Sequence, residues 1–252
     1  MRILYQFPLS HFCEKARWLL DYKELDYMAQ NLTPGWHQAF ARLKTGQNNL
    51  PILKDGSNWI ADATQIAKYL DQNYPEHVLL GVNTAEQEKI LALDHISQQL
   101  GGLIRQWLFS DLWQQDEAVE IALGEKGYLR KFSRFSKPAI KKILSKGFDL
   151  DDTAKQQLQQ QIQQQILELN QQLPASAEFF VGQRLSLADI AVCSMLAPLL
   201  NIVGTPWELE SSFVLDAQTA ELQQFLIDLP LGEYVMQTYA NARNARVDWR
   251  GV

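Results

Sequence analysis

The stretch that decides the fold is Phe7–Arg17, which reads FPLSHFCEKAR. The strand-like run Ile3–Phe7 leads into it, and apolar residues at helical spacing lead out of it. The turn between them delivers the hydroxyl of Ser10 and the thiol of Cys13 onto the first turn of a helix. Because a helix N-terminus carries unpaired N–H groups and partial positive charge, it favours a bound thiolate or carboxylate. Ser10 and Cys13 either act on such a ligand or only cap and pack the helix.

The composition narrows the function classes. The chain has 252 residues, 46% of them hydrophobic and 21% charged, and a formal net charge of −6. A negative charge argues against nucleic-acid binding, which requires a basic surface. Two cysteines, Cys13 and Cys193, give no disulfide framework and favour a reducing compartment. The four histidines lack metal-ligand spacing, and no apolar run is long enough for a signal peptide or a membrane span. We therefore predict a cytoplasmic protein without a metal.

Residues 1–77 alternate strands and helices. The order predicted from periodicity and turn residues is βαβ followed by ββα. The strands are predicted at 3–7, 26–32, 50–54 and 59–61, and the main helices at 11–23 and 63–73. The first unit predicts a parallel strand pair joined by a crossover helix.

Residues 84–252 contain no convincing strand, and the boundary between the two parts is predicted within 77–83. Thr84–Gln87 has the pattern of a capping box, and Gln-rich Thr153–Leu173 repeats apolar residues at helical spacing. Ser186 and Asp189 form a second predicted capping box, followed by a helix that is apolar nearly all round. The basic segment Tyr128–Lys146 is interpreted as a solvated helix face rather than as an anion-binding surface.

Four motifs together resemble the glutathione S-transferase family. They are Ser10-x-x-Cys13, Leu50-Pro51 and Ile66-Ala-Lys-Tyr-Leu70, as in the thioredoxin-like half, and Leu185–Ile190, as in the folding motif of the all-helical half. The resemblance implies an α/β + all-α fold, with an N-terminal thioredoxin-like βαβ-ββα domain followed by an all-helical domain. Residues 1–77 would then bind glutathione, residues 84–252 would form the all-helical domain, and two copies would pair as a homodimer.

The resemblance places Ser10 at the thiol-activating position. Its hydroxyl would donate a hydrogen bond to the glutathione thiolate and lower the thiol pKa from about 8.5 toward neutrality. The thiolate would then attack a small hydrophobic electrophile. The alternative is that Ser10 is only an N-cap. Cys13 is expected to pack beneath the first helical turn rather than act as a reactive thiol, and Cys193 is expected in the core.

The resemblance also implies the glutathione-binding residues. Pro51 would follow a cis peptide bond, so that the backbone of Leu50 can pair with the cysteinyl part of glutathione. Asp62 would cap a helix or hold the ligand's ammonium group, and the N–H groups of Ala63 and Thr64 would face the γ-glutamyl carboxylate. Ala63 departs from the family, which has serine or threonine there. The lost hydroxyl predicts glutathione binding weaker by about 1 kcal/mol.

Two further assignments stay open at the level of sequence. Aromatic residues near the electrophile either line its site or belong to the helical core; they are Trp107, Trp113 and Tyr128. The amide-rich loop Thr45–Asn49 leaves the contact to the glycyl carboxylate among Gln47, Asn49 and His37. Because of Ala63 and this loop, a binding or scaffold protein with a transferase fold and little catalysis is the alternative to an enzyme.

Overall fold

The computed structural model describes residues 1–32, 35–112, 150–175, 178–208 and 216–251. The first part of the chain forms four strands and three helices. The strands are β1 Arg2–Gln6, β2 Met28–Asn31, β3 Ile52–Asp55 and β4 Asn58–Ala61. The helices are α1 His11–Tyr22, α2 Trp36–Thr45 and α3 Ala63–Asn73.

The four strands form one mixed sheet in the order β2-β1-β3-β4. β1 pairs in parallel with β2, whereas β3 is antiparallel to both β1 and β4. A parallel pair needs a crossover, which α1 supplies, and a hairpin at Asp55–Asn58 joins the last two strands. The predicted thioredoxin-like βαβ-ββα arrangement is confirmed.

The second part of the chain is helical. Its elements are α4 Thr84–Leu112, α5 Asp152–Gln172, α6 Leu187–Leu196, a 3₁₀ turn Ala197–Leu199, α7 Ala217–Ile227 and α8 Pro230–Ala242. Within the described residues this part contains no strand, so the predicted fold class is confirmed. None of the helices described is long and apolar enough to cross a membrane. The basic segment Tyr128–Lys146 lies outside the described residues.

Helix α1 is buried on nearly all sides because it lies between the sheet and the helical part. Trp18, Leu19 and Leu20 have no solvent exposure and belong to an apolar cluster that runs from Leu4 in the sheet to Leu196 in α6. One continuous core therefore joins the two parts. The domain boundaries at 77 and 84 stay a prediction.

Helix α6 begins at a fully satisfied capping box. The Ser186 hydroxyl accepts from the backbone N–H of Ala188 at 3.2 Å and donates to Asp189 Oδ2 at 2.6 Å. Asp189 also accepts from the N–H of Ser186 and Phe180 and from the Tyr234 hydroxyl, at 2.6 to 2.8 Å. The capping box predicted at Ser186 and Asp189 is confirmed.

Helix α4 starts differently from its prediction. The residue that caps it is Asn83, whose Oδ1 accepts from the N–H of Glu86 at 2.9 Å, and not Thr84. Asn83 Nδ2 also donates to the Glu86 carboxylate at 3.1 Å. The capping box predicted at Thr84–Gln87 is therefore wrong by one position, because asparagine competes well with threonine as a cap.

The residues after α8 fold back onto the N-terminal part. Arg243 donates to Glu14 and Asp21 of α1, each at 2.7 Å. Gln6 Nε2 donates to the carbonyl of Trp249 at 3.0 Å, beside the end of β1. The C-terminal segment thus lies against the same end of the sheet from which the chain runs into Ser10.

Candidate active site

Ser10 occupies the N-cap of α1. Its backbone N–H donates to the carbonyl of Phe7 at 3.1 Å, which closes the turn after β1, and its Oγ accepts from the N–H of Cys13 at 3.3 Å. The residue is half-buried. The Ser10 side chain also hydrogen-bonds the Cys13 thiol, which lowers the pKa of that thiol against the larger, opposite effect of burial. A neutral thiol sulfur is a weak acceptor, so a ligand thiolate would compete for the Ser10 hydroxyl proton. Ser10 therefore caps its helix and has a hydroxyl proton that only a weak acceptor holds.

Cys13 packs beneath this turn. The residue is fully buried, and its Sγ accepts from the N–H of Phe7 at 3.4 Å. Burial raises the pKa of the Cys13 thiol, because the charged thiolate loses its hydration. A buried neutral thiol is a poor nucleophile, which agrees with the predicted packing role. Cys193 is likewise fully buried, within α6.

The pairing of the strands brings three predicted stretches to one edge of the sheet: the Ser10 turn, Leu50–Pro51 and the start of α3. Tyr5 pairs with Ile52, so Leu50–Pro51 lies beside the end of β1, and Ile52 pairs with Ala61, so the start of α3 follows alongside. The peptide bond between Leu50 and Pro51 is cis, as the resemblance implied. The carbonyl of Pro51 accepts from the N–H of Asp62 at 3.2 Å.

Asp62 caps α3 from an unusual backbone conformation. Its Oδ1 accepts from the N–H groups of Thr64 at 2.8 Å and Gln65 at 3.1 Å. Its φ of 72° is rare for a residue with a side chain, and such strain concentrates at functional sites. The capping role of Asp62 follows directly from these contacts. The strain was not foreseen from sequence.

The N–H and the hydroxyl of Thr64 are already hydrogen-bonded within the protein. Its N–H donates to Asp62, and its hydroxyl donates to Asp94 Oδ2 at 2.5 Å while accepting from Gln98 Nε2 at 2.8 Å. The contact of Thr64 with a γ-glutamyl carboxylate stays a prediction, and both commitments weigh against it. Ala63 is almost fully buried and offers only its backbone and a methyl group.

A buried polar cluster lies directly behind the site. Lys15 of α1 pairs with Asp94 of α4 and donates to the hydroxyl of Thr64 at 3.1 Å. The Lys15 and Asp94 side chains are 0% and 2% exposed, so this ion pair is shielded from water. It ties the N-terminal turns of α1 and α3 to the helical part. The signal in the sequence was a lysine within a helix that is otherwise buried, and sequence reasoning missed it.

The helical part faces Ser10 through α4. The carbonyl of Gly101 lies 2.9 Å from Nε2 of His11, the residue after Ser10. Burial lowers the pKa of His11 to about 3, so this imidazole is neutral near pH 7. Arg105 follows one helical turn later, and its guanidinium lies 5.7 Å from the centroid of the Phe12 ring. Sequence reasoning singled out neither His11 nor Arg105.

Of the aromatic residues predicted near the electrophile, the structure describes Trp107, and it is not brought to this edge. Trp107 is 1% exposed, and its indole N–H donates to the Thr219 hydroxyl at 3.1 Å inside the helical part. Trp107 is therefore a core residue, which was the alternative interpretation. Trp113 and Tyr128 lie outside the described residues.

His37 accepts from the N–H of Gly35 at 3.2 Å.

Gln47 and Asn49 are exposed in the loop that follows α2. Their contact with the glycyl carboxylate stays a prediction.

A cleft of about 620 Å³ opens beside α1, between α8, residues 201–208 and the C-terminal segment. Glu14, Tyr239 and Arg243 line its inner wall. Neither Ser10 nor Ala63 lines it, so we do not assign it to the ligand predicted at Ser10. Within the described residues, no group of histidine, cysteine and acidic side chains is arranged to hold a metal ion.

Comparisons with known proteins agree with this geometry. Residues 4–77 match the family model of the glutathione S-transferase N-terminal domain. That span contains Ser10, the cis peptide before Pro51 and the start of α3. No curated protein matches the chain.

Solved structures extend the likeness to nearly the whole chain. A glutathione S-transferase of Ceriporiopsis subvermispora in complex with glutathione is 17% identical, with a TM-score of 0.61 and 98% of each chain covered. A glutathione S-transferase of Methylobacterium radiotolerans in complex with glutathione sulfonate is also 17% identical (TM-score 0.57, 93% and 94% covered). The beta-etherase LigF of Sphingobium is 15% identical (TM-score 0.58, 94% and 99% covered). The chain therefore has the glutathione S-transferase fold, and residues 4–77 match the N-terminal domain model of that family.

Proposed function

We propose that this protein is a glutathione transferase in which Ser10 activates the glutathione thiol for attack on a small hydrophobic electrophile. The observation that carries the proposal is the half-buried hydroxyl of Ser10 at a helix N-terminus, with only the Cys13 thiol as a weak acceptor, on the sheet edge where Pro51 and Asp62 also lie. The match of residues 4–77 to the glutathione S-transferase N-terminal domain supports it.

In this proposal the tripeptide lies along the edge formed by three stretches. The backbone of Leu50, before Pro51, pairs with the cysteinyl part of glutathione. Asp62 and the N-terminus of α3 at Ala63 hold the γ-glutamyl end, Asp62 through its second carboxylate oxygen and Ala63 through the positive end of the helix. Thr64 supports this arrangement through Asp94 rather than through the ligand.

The chemistry follows from placing the sulfur at Ser10. The hydroxyl donates to the thiolate, and the α1 N-terminus adds favourable potential, so the thiol ionises near neutral pH. The thiolate then forms a bond to an electrophilic carbon, whose leaving group departs. Positioning of both reactants supplies most of the remaining rate enhancement. Homodimer formation and a cytoplasmic location remain part of the same proposal.

Calorimetric titration with glutathione tests this function. We expect binding at millimolar ligand or below, and weaker binding of S-methylglutathione, which has no ionisable thiol to accept from Ser10. In Ser10→Ala the two ligands should bind with similar affinity. If the wild-type protein binds neither ligand at millimolar concentration, the transferase proposal is wrong.

The second candidate function is a binding or scaffold protein with a transferase fold and little catalysis, and Ala63 favours it. The Ala63 methyl group offers no hydrogen bond, and the neighbouring Thr64 hydroxyl is already committed to Asp94. Ala63→Ser distinguishes the two candidates. For a transferase it should tighten glutathione binding about 5- to 10-fold, since one hydrogen bond to a charged group is restored. An unchanged absence of binding favours the scaffold.

A further inference from the structure

Helix α4 approaches the Ser10 turn closely because of Gly101. A Cβ atom at this position would collide with Sδ of Met195 and lie 3.2 Å from Cζ of Phe12. The absence of a side chain lets the α4 backbone reach the turn, where the Gly101 carbonyl meets the His11 imidazole at 2.9 Å. Arg105 comes four residues later, on the same face of the helix. Gly101 thus brings Arg105 to the edge that holds Ser10.

Arg105 differs from the other cations near this turn. Lys15 forms an ion pair with Asp94, and Arg17 forms one with Glu14. Both ion pairs are buried. Arg105 is exposed as a residue, although partial burial of its guanidinium over the Phe12 ring lowers its pKa. It makes no ion pair with any residue that the structure describes. The adjacent His11 is neutral and contributes no charge. Within the part of the chain that the structure describes, the positive charge of Arg105 is therefore uncompensated beside His11 and Phe12, the two residues that follow Ser10.

We propose that Arg105 selects electrophiles that carry a carboxylate or a similar planar anionic group. A guanidinium presents N–H donors in a fork that matches a carboxylate, with two parallel hydrogen bonds. Stacking on Phe12 holds the fork in one orientation before the ligand arrives, which reduces the entropy lost on binding. This inference rests on the proposed function, because it names the substrate class of the same site.

The proposal is tested with two electrophiles that differ in one group, chlorodinitrobenzene and chlorodinitrobenzoate. In both, the glutathione sulfur forms a bond to the ring carbon, the carbon–chlorine bond breaks, chloride leaves and the thiol proton passes to solvent. For Arg105→Gln we expect kcat/KM to fall about 10- to 100-fold with the benzoate and to stay within about twofold with the neutral compound. Arg105→Lys should be intermediate, since it keeps the charge and loses the fork.

Lys89→Gln is the matched control. Lys89 is an exposed cation on the same helix, sixteen residues before Arg105 and so about 24 Å away along the helix axis. The substitution Lys89→Gln removes one positive charge, as Arg105→Gln does, and should leave kcat/KM unchanged with both electrophiles. The proposal is overturned if Arg105→Gln lowers the rates with the two electrophiles equally, or lowers neither rate. It is also overturned if Lys89→Gln lowers the rate with the benzoate as much as Arg105→Gln does. In each case Arg105 does not bind the anionic group of the substrate.

Direct binding separates this proposal from the proposed function. The unreactive compound dinitrobenzoate should bind the wild-type protein about 10-fold more tightly than it binds Arg105→Gln, without glutathione or turnover. Equal affinity would overturn the role of Arg105 even if conjugation is observed. Tighter binding to the wild type in a protein that fails to bind glutathione would support Arg105 and contradict only the transferase.

Discussion

Two of the helices that the structure describes begin with a capping serine, and the two serines are used differently. Ser186 at the start of α6 is 2% exposed and gives its proton to Asp189, three residues on. Ser10 at the start of α1 is half-buried and has Cys13 three residues on, whose buried thiol is only a weak acceptor for the Ser10 hydroxyl. The nearest carboxylate on α1, Glu14, pairs with Arg17 and Arg243 instead. A capping serine whose proton is bound by a carboxylate serves the fold, and one whose proton meets only a thiol can serve a ligand.

The largest effect is expected at Asp189, which makes the Ser186 turn structural. Asp189→Ala leaves the Tyr234 hydroxyl, the Ser186 hydroxyl and two backbone N–H groups without their acceptor in the core. We expect a loss of about 3–5 kcal/mol in the free energy of unfolding, measured by urea denaturation. A loss below about 1 kcal/mol would show that the box is dispensable and would weaken the contrast with Ser10.

The next largest effect is the pH dependence of stability caused by Glu14, the α1 carboxylate that pairs with arginines and not with Ser10. Burial opposes its ionisation, but the charges of Arg243 and Arg17 outweigh burial and lower the pKa of Glu14 from 4.5 to about 2. Because the folded pKa lies below the unfolded one, this contribution is complete above about pH 4.5 and is lost as the pH falls toward 2. We expect about 3 kcal/mol of stability to disappear over that window.

Glu14→Gln provides the control for this pH dependence. The variant cannot titrate at this position, so its unfolding free energy should vary less between pH 4.5 and pH 2 than that of the wild type. Identical pH profiles for the two proteins would show that Glu14 is not held ionised by its arginine partners.

Ser10→Ala should affect activity more than stability. Removing the hydroxyl that donates to the thiolate is expected to lower kcat/KM for glutathione conjugation about 100-fold, as for other single donors to a developing anion. The lost cap should cost only about 1 kcal/mol of stability. Ser10→Thr, which keeps the hydroxyl, should retain more activity. Equal activity of Ser10→Ala and wild type would reduce Ser10 to a cap.

Ser186→Ala gives the reciprocal result. The cap and the hydrogen bond to Asp189 are lost, so the unfolding free energy should fall by about 1–2 kcal/mol. The activity per folded molecule should be unchanged, since Ser186 is buried at the start of α6. Activity is measured at a temperature where both proteins are fully folded. A catalytic loss similar to that of Ser10→Ala would erase the distinction between the two turns.

The smallest effect is expected at Cys13. Cys13→Ala removes a buried sulfur and should cost about 1 kcal/mol, with conjugation activity within about twofold of the wild type. Slow labelling of Cys13 by thiol reagents in the native protein would agree with its full burial. Loss of activity in this variant, with folding intact, would instead identify a working thiol.

Much of the fold could be predicted from the sequence because its signals are local. Ser186 and Asp189 are three residues apart, so their capping box could be recognised by spacing. The order of strands and helices along residues 1–77 followed from periodicity and turn residues. Lys15 with Asp94, and Gly101 with Phe12, are contacts between distant segments. No local pattern reveals such pairs, which is why the polar cluster and Arg105 were missed.

For the candidate site, the places of its residues in the fold could be predicted better than their hydrogen-bond partners. Ser10, Pro51 and Asp62 reach one sheet edge as expected, because strand pairing fixes where their segments begin. The direction of the Thr64 hydroxyl was not foreseen. It depends on Asp94, a residue of another helix thirty positions away, and only the packing of α3 against α4 determines it.

The most direct test of the central claim is the pKa of the glutathione thiol bound to the protein, followed by the ultraviolet absorbance of the thiolate. For the wild type we predict a value well below the free thiol value of about 8.5 and close to neutrality. For Ser10→Ala, saturated with the same ligand, the value should rise by about 1–2 units. The same pKa in both proteins would contradict the claim that the hydroxyl of Ser10 stabilises the thiolate.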